Sequence, residues 1–154
     1  MFKRLTLLLL VMSLLSFGHA QGSYYAGGEI GAIGISLYDL GFINAFKVGG
    51  NFAFEDIGPN FDVRLSLDVL LGGGFLSEVG VQALYGLGSG GTVNFYSGGG
   101  IKLLIPTFLP SFGVLGGAEF MVSESIGIYG ELGAELILFV LPSYEVSVGV
   151  NFHF

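Results

Sequence analysis

From residue 144 to residue 154 the chain alternates without interruption, with Tyr144, Val146, Val148, Val150, Phe152 and Phe154 on one parity and Glu145, Ser147, Gly149, Asn151 and His153 on the other. Successive residues of an extended strand point to opposite faces, so the pattern predicts a strand with one wholly apolar face. About ten such residues, tilted, cross the hydrocarbon of a bilayer. Read backwards from this segment, the same period recurs between clusters of Gly, Pro, Ser and Asp that signal turns. It predicts strands over 24–37, 43–55, 61–69, 78–87, 93–105, 112–122 and 126–138, which with the terminal segment makes eight. In the first of them Ile33, Ile35 and Leu37 share the parity of Glu29, which predicts a bulge or glycine kink near residues 31–34. Apparent turn centres near Leu40, Gly74, Phe108 and Leu141 lie about 34 residues apart, the spacing of successive hairpins in an up-and-down meander. The alternate turns at 56–60, 88–92 and 123–125 are short and polar and face the periplasm in the usual barrel topology.

Alternation alone fits a soluble barrel with an apolar core as well as a membrane barrel with an apolar exterior. Volume separates them, because eight strands enclose a space just wide enough to be filled by side chains. The apolar faces carry Phe, Leu, Ile, Val and Tyr at almost every position and would overfill that space. The polar faces, rich in glycines such as Gly49, Gly98, Gly100, Gly117, Gly133 and Gly149, fit inside it. A charged content of 11% does not furnish a soluble exterior, which disfavours a periplasmic lipocalin-like binding barrel. The fold class expected is therefore all-β, an eight-stranded antiparallel up-and-down transmembrane β-barrel spanning residues 21–154. Residues 1–20 read as a cleaved secretory signal peptide, since Lys3 and Arg4 precede an apolar run and Gly18 and Ala20 supply small residues near a cleavage point. After residue 20 no apolar run is long enough for a spanning helix.

The chain resembles the small eight-stranded outer-membrane barrels of the outer membrane protein A, X and W type over residues 21–154. The sharpest element is the closing segment, whose Tyr144, Val146, Val148, Val150, Phe152 and Phe154 are similar to the C-terminal signal read by the barrel-assembly machinery. The resemblance implies a place in the outer membrane of a Gram-negative type envelope, with outer-membrane lipid and, during biogenesis, the assembly machinery as partners. Tyr24, Tyr38, Phe42, Phe54, Phe61, Phe75, Phe112, Phe139 and Tyr144 would form the interfacial aromatic girdles, although the chain has no Trp. Family members carry long polar extracellular loops, whereas the corresponding segments 38–42, 72–76, 106–110 and 139–143 are short and apolar. Either these sit at the membrane surface or they dock a partner or surface layer.

Barrel enzymes that modify lipid A would supply Ser and His near the outer rim. Here His153 lies at the opposite end, and Ser147 on the same face is roughly 20 Å away along the strand. No nucleophile and base pair emerges, so no enzyme activity is expected. One imidazole after residue 20 and no Cys likewise give no metal or cofactor site and no redox chemistry. Without the signal segment only Lys47, Arg64 and Lys102 oppose twelve Asp and Glu, a balance of minus nine that excludes nucleic acid.

The polar faces collect a lumen charge set: Glu29, Lys47, Glu55, Asp62, Arg64, Asp68, Glu78, Lys102, Glu119, Glu131, Glu135 and Glu145. A turn centred near residue 90 puts Glu78 directly across from Lys102, and Lys47 falls diagonal to Asp68, with Arg64 sharing a face with Asp62 and Asp68. A last turn centred on residue 140 sets Glu135 opposite Glu145, two carboxylates that either share a proton or hold a cation. Ion pairing predicts a plugged, non-catalytic barrel that is a structural or accessory part of the envelope. The acid excess, with glycine leaving free volume, supports the alternative of a small cation-preferring diffusion pore.

Overall fold

The computed structural model describes residues 23–37, 41–72, 75–89, 91–138 and 140–154. They form eight strands: β1 (Tyr24–Ser36), β2 (Phe42–Gly58), β3 (Phe61–Leu71), β4 (Phe75–Ser89), β5 (Val93–Ile105), β6 (Leu109–Ser123), β7 (Ile126–Ile137) and β8 (Leu141–His153). Each pairs antiparallel with its neighbours in chain order, and β8 pairs with β1, so the sheet closes. The expected signal segment lies outside the described residues, as do Tyr38 and Phe139.

The stagger of the closed sheet follows from the register. Partner by partner from Tyr24, the path runs through Phe54, Val63, Ala83, Gly99, Val114, Ala134 and Tyr144 and returns to β1 at Gly34, ten residues along. Eight strands with this stagger must tilt, and the interior they enclose is narrow enough for side chains to fill it. The end where β1 begins and β8 finishes is termed basal here and the other apical. In the usual topology the basal end faces the periplasm.

Strands extend further than alternation suggested, because pairing continues where the polar punctuation is weak. β4, β6 and β8 begin at Phe75, Leu109 and Leu141, leaving only residues 106–108 and 138–140 in the last two apical connections. Leu37, Leu138 and Phe154 fall just outside their strands. The bulge expected near residues 31–34 does not occur: β1 keeps an unbroken register with both β2 and β8. Register shifts lie instead at the basal ends, between Phe54 and Gly58, Gly86 and Gly88, and Met121 and Ser123. Ile33 shares the parity of Glu29 because both point inward, and Ile33 is buried.

The outward faces are apolar all round, with Ile30, Val48, Leu67, Val81, Ile101, Val114, Leu132 and Val148 exposed. Among the described residues every Lys, Arg, Asp and Glu lies on the inner face or at the basal end. This inverted polarity is that of a barrel solvated by lipid. Tyr24, Phe61, Phe112 and Tyr144 stand exposed near strand ends, where girdle residues belong. The seam finishes with Phe154, whose N–H donates to the Tyr24 carbonyl at 2.9 Å and whose ring stacks on that of Tyr24 at 5.4 Å.

Inward glycines make room for neighbours rather than for water. A Cβ at Gly31 would collide with the Val146 carbonyl and stand 3.0 Å from the Ser147 Cα, both backbone of β8. Gly31→Val should therefore obstruct the β1–β8 seam, costing about 1–3 kcal/mol or preventing closure. Gly28→Ala, where the nearest atom is 3.9 Å away, should be neutral. The fraction of chain showing the heat-dependent gel mobility of a folded barrel measures both.

Candidate functional site

The lumen is built in layers, ordered by the inward residues of each strand. Descending β7 from the apical end these are Ile137, Glu135, Gly133, Glu131, Tyr129 and Gly127, and descending β3 they are Leu70, Asp68, Ser66, Arg64 and Asp62. The apical layer is aliphatic. Ile33, Leu70, Leu104 and Ile137 are buried against one another, with Ile35, Ala45, Leu76, Leu109 and Leu141 packed around them.

Beneath this plug lie two ammonium groups and five carboxylates. Lys47 Nζ pairs with Glu29 at 2.6 Å and with Glu145, and stands 3.9 Å from Asp68. Lys102 Nζ stands 3.0 Å from Glu78, 2.5 Å from Glu135 and 2.7 Å from Glu145. Glu145 thus offers one oxygen to each lysine. Glu78, Glu135 and Glu145 each bring an oxygen within 4.8 Å of the others, a spacing that suits a metal ion. The ammonium of Lys102 lies among those three carboxylates and takes the role of the cation.

The next layer is centred on Arg64. Its two terminal nitrogens donate to the two oxygens of Glu131, one of these bonds measuring 2.9 Å, and its Nε donates to Gln82 at 2.7 Å. Tyr96 also donates to Glu131, at 2.7 Å. A chain of hydrogen bonds joins the layers, Asn51 Nδ2 donating to the Tyr129 hydroxyl at 2.8 Å and that hydroxyl to Glu29 at 2.7 Å. Between the two charged layers a cavity of about 10 Å³, lined by Lys102, Glu131, Glu135 and Glu145 among others, has room for about one water.

The basal layer is open. A vestibule of about 380 Å³ is walled by Glu55, Asp56, Asp62, Glu119, Asn151, Tyr25 and Tyr96 among others. His153 stands at this end with Nδ1 at 3.0 Å from Glu55 and Nε2 at 3.1 Å from Glu119.

Several facing pairs differ from the sequence expectation. Lys102 is opposite Gly80 rather than Glu78, because the turn is centred between residues 91 and 92 rather than at 90, an offset of three that the bulge between Gly86 and Gly88 reduces to two, so the Glu78–Lys102 ion pair forms diagonally. Glu135 faces Ser143 and Glu145 faces Gly133, since the last turn is centred one residue earlier than assumed. The two carboxylates meet at Lys102 instead of at each other. Lys47 is diagonal to Asp68 as the alternation predicts, with Asp68 facing Gly49. Arg64 reaches across the lumen to β7 rather than along its own face to Asp62 or Asp68. Glu55, Asp62 and Glu119 lie in the vestibule, apart from the other charges. His153 lies at the basal end as expected, and its two ring nitrogens link β8 to β2 and β6. Tyr144, Val146, Val148 and Phe152 of the terminal strand face outward.

The aliphatic plug escaped the sequence reading. Its signal was present: apolar residues on the inner parity of four strands, all at the same end. Free volume was also misjudged, because long side chains lie over the inward glycines. Tyr96 and Glu131 lean over Gly117, and Tyr129 over Gly149.

These features define a closed, eight-stranded, lipid-facing β-barrel with an ion-paired lumen. No protein-family model matches the chain, and no curated protein sequence matches it. Among solved structures it is similar to Neisserial surface protein A, with 16% identity, a TM-score of 0.73 and coverage of 87% of this chain and 100% of that one. It is similar also to the N-terminal β-barrel domain of Pseudomonas aeruginosa OprF, at 17% identity, TM-score 0.63 and coverage of 83% and 97%. A de novo designed transmembrane β-barrel matches at 13% identity, TM-score 0.63 and coverage of 86% and 96%. At these identities the likeness speaks for the fold, that of the outer-membrane eight-stranded barrels.

Removing one side of a buried ion cluster leaves charge without a partner, a change that costs about 3–5 kcal/mol. Lys102→Met should destabilise the barrel by about that amount, as it strands Glu78 and Glu135 and leaves Glu145 with Lys47 alone. Urea unfolding in detergent micelles measures the loss, and Lys102→Met combined with Glu78→Gln and Glu135→Gln should recover most of it.

Proposed function

We propose that this chain is a closed, non-catalytic barrel of the outer membrane, acting as a structural or accessory component of the envelope. One observation carries the reading. The aliphatic layer of Ile33, Leu70, Leu104 and Ile137 seals the lumen directly above the layer of Lys47 and Lys102. An ion crossing it would shed its water among methyl groups, and hydrophobic constrictions of this kind stop conduction by excluding water. In the two layers directly below the plug, Glu29, Asp68, Glu78, Glu131, Glu135 and Glu145 are engaged by the protein's own lysines and arginine.

The non-catalytic part of the reading is supported by His153, whose two ring nitrogens are both within reach of carboxylates rather than of a hydroxyl nucleophile. The outward faces of β1 to β8 make lipid the principal partner. The terminal strand presents the alternating apolar face ending in Phe154 that the assembly machinery would read.

Reconstituted into planar bilayers, the protein should be electrically silent across a range of voltages. Reproducible single-channel steps from the wild-type chain would instead establish the cation-pore alternative.

A further inference from the structure

We propose that the lumen holds a proton-binding site, in which Asp68 carries the proton and gives its O–H to Glu29. Asp68 is the exception among the carboxylates directly beneath the aliphatic plug. Glu29, Glu78, Glu135 and Glu145 each have an ammonium nitrogen within 3.0 Å, whereas Lys47 Nζ stands 3.9 Å from Asp68. That is beyond hydrogen-bonding distance. The ammonium of Lys47 is held instead by Glu29 and Glu145.

The surroundings supply no other donor. Asp68 is 0% exposed, and neither its Oδ1 nor its Oδ2 has a hydrogen-bond partner. Above it on the inner face of β3 is Leu70 of the plug, and the cavity with room for one water is lined by residues of β4 to β8, not by Asp68. Gly49 lies opposite it on β2, and Oδ1 occupies the place a Cβ of Gly49 would take. On its other side the residue directly opposite is Glu78 of β4, and like charges so placed repel. Glu29 of β1 is within hydrogen-bonding reach of Asp68. A buried carboxylate set among others and left without a donor is costly, and such a group takes up a proton instead.

A proton is the one ligand that needs no cavity, so the close packing around Asp68 that would refuse a metal ion admits it. The neighbours also decide which carboxyl carries it. Glu29 already accepts from Lys47 at 2.6 Å and from the Tyr129 hydroxyl at 2.7 Å, partners suited to a carboxylate. Asp68 has no such donors, and as an acid it gains one O–H to give. Glu29 then accepts from β2, β3 and β7 together. Strands β1 and β3 are not neighbours in the sheet, and the shared proton ties them across β2.

The test is infrared spectroscopy of the full chain refolded in neutral detergent micelles at neutral pH. The carbonyl stretch of a protonated carboxylic acid, distinct from carboxylate absorption, is expected in the wild-type spectrum and should be lost in Asp68→Asn. The Asn side chain offers Glu29 an N–H in place of the O–H, so the urea midpoint of this variant should equal or exceed that of wild type. An ionised Asp68 paired with Lys47 predicts the reverse. The folded state holds a proton that the unfolded chain releases above the ordinary aspartate range, so raising the pH should cost wild type stability relative to Asp68→Asn. The charged groups around the site, Glu29, Lys47, Glu78, Lys102, Glu135 and Glu145, are common to both chains and cancel in that comparison. An acid band missing from wild type, a band unchanged in Asp68→Asn, or a lower midpoint for Asp68→Asn, failure to fold included, would each overturn the proposal.

Discussion

A closed sheet of eight strands staggered by ten residues has a fixed and narrow interior, and everything else in this structure answers to that volume. Lipid outside leaves the interior as the one place for polar side chains, and the interior holds too little water to solvate them singly. Each large inward group therefore needs a small one beside it and a partner across from it. Asp68 lies over Gly49, Tyr96 over Gly117 and Tyr129 over Gly149, so the glycines mark where neighbours fill the lumen.

Partnering of charge is as strict as packing. Lys47 on β2 draws on carboxylates from β1, β3 and β8, and Lys102 on β5 draws on β4, β7 and β8. Arg64 on β3 reaches Glu131 on β7. Neighbouring strands are already joined by their backbone hydrogen bonds. The ion pairs add ties between strands that never touch in the sheet. Buried pairs of this kind stabilise little relative to well-packed apolar groups, but they penalise any arrangement that leaves one member alone.

The eight strands and the shared face of the lumen charge set were legible from alternation, because a period of two assigns faces without reference to anything distant, and the limited interior volume then told which face is inside. Register was not legible. An error of one residue in a turn centre displaces the facing partner by two, as happened for Glu135 and Glu145, and a bulge such as that between Gly86 and Gly88 shifts it by one more residue, in this case partly offsetting the late turn before Lys102. Contacts across the lumen were less legible still, since Arg64 meets Glu131 only through the stagger accumulated around half the barrel. The aliphatic plug was hidden for a different reason. Ile33 on a polar parity reads as a local bulge when one strand is considered, and as a layer only when Leu70, Leu104 and Ile137 are placed at the same height.

The position of Glu145 has a consequence for how the barrel is made. It lies on β8, the last strand, yet it supplies an oxygen to Lys47 on β2 and another to Lys102 on β5. Until β8 meets β1, Lys47 is without this carboxylate. A half-finished sheet would have to present unmatched charge to hydrocarbon, which hydrocarbon rejects. The same side chain therefore makes closure of the β1–β8 seam and completion of the lumen charge network a single event.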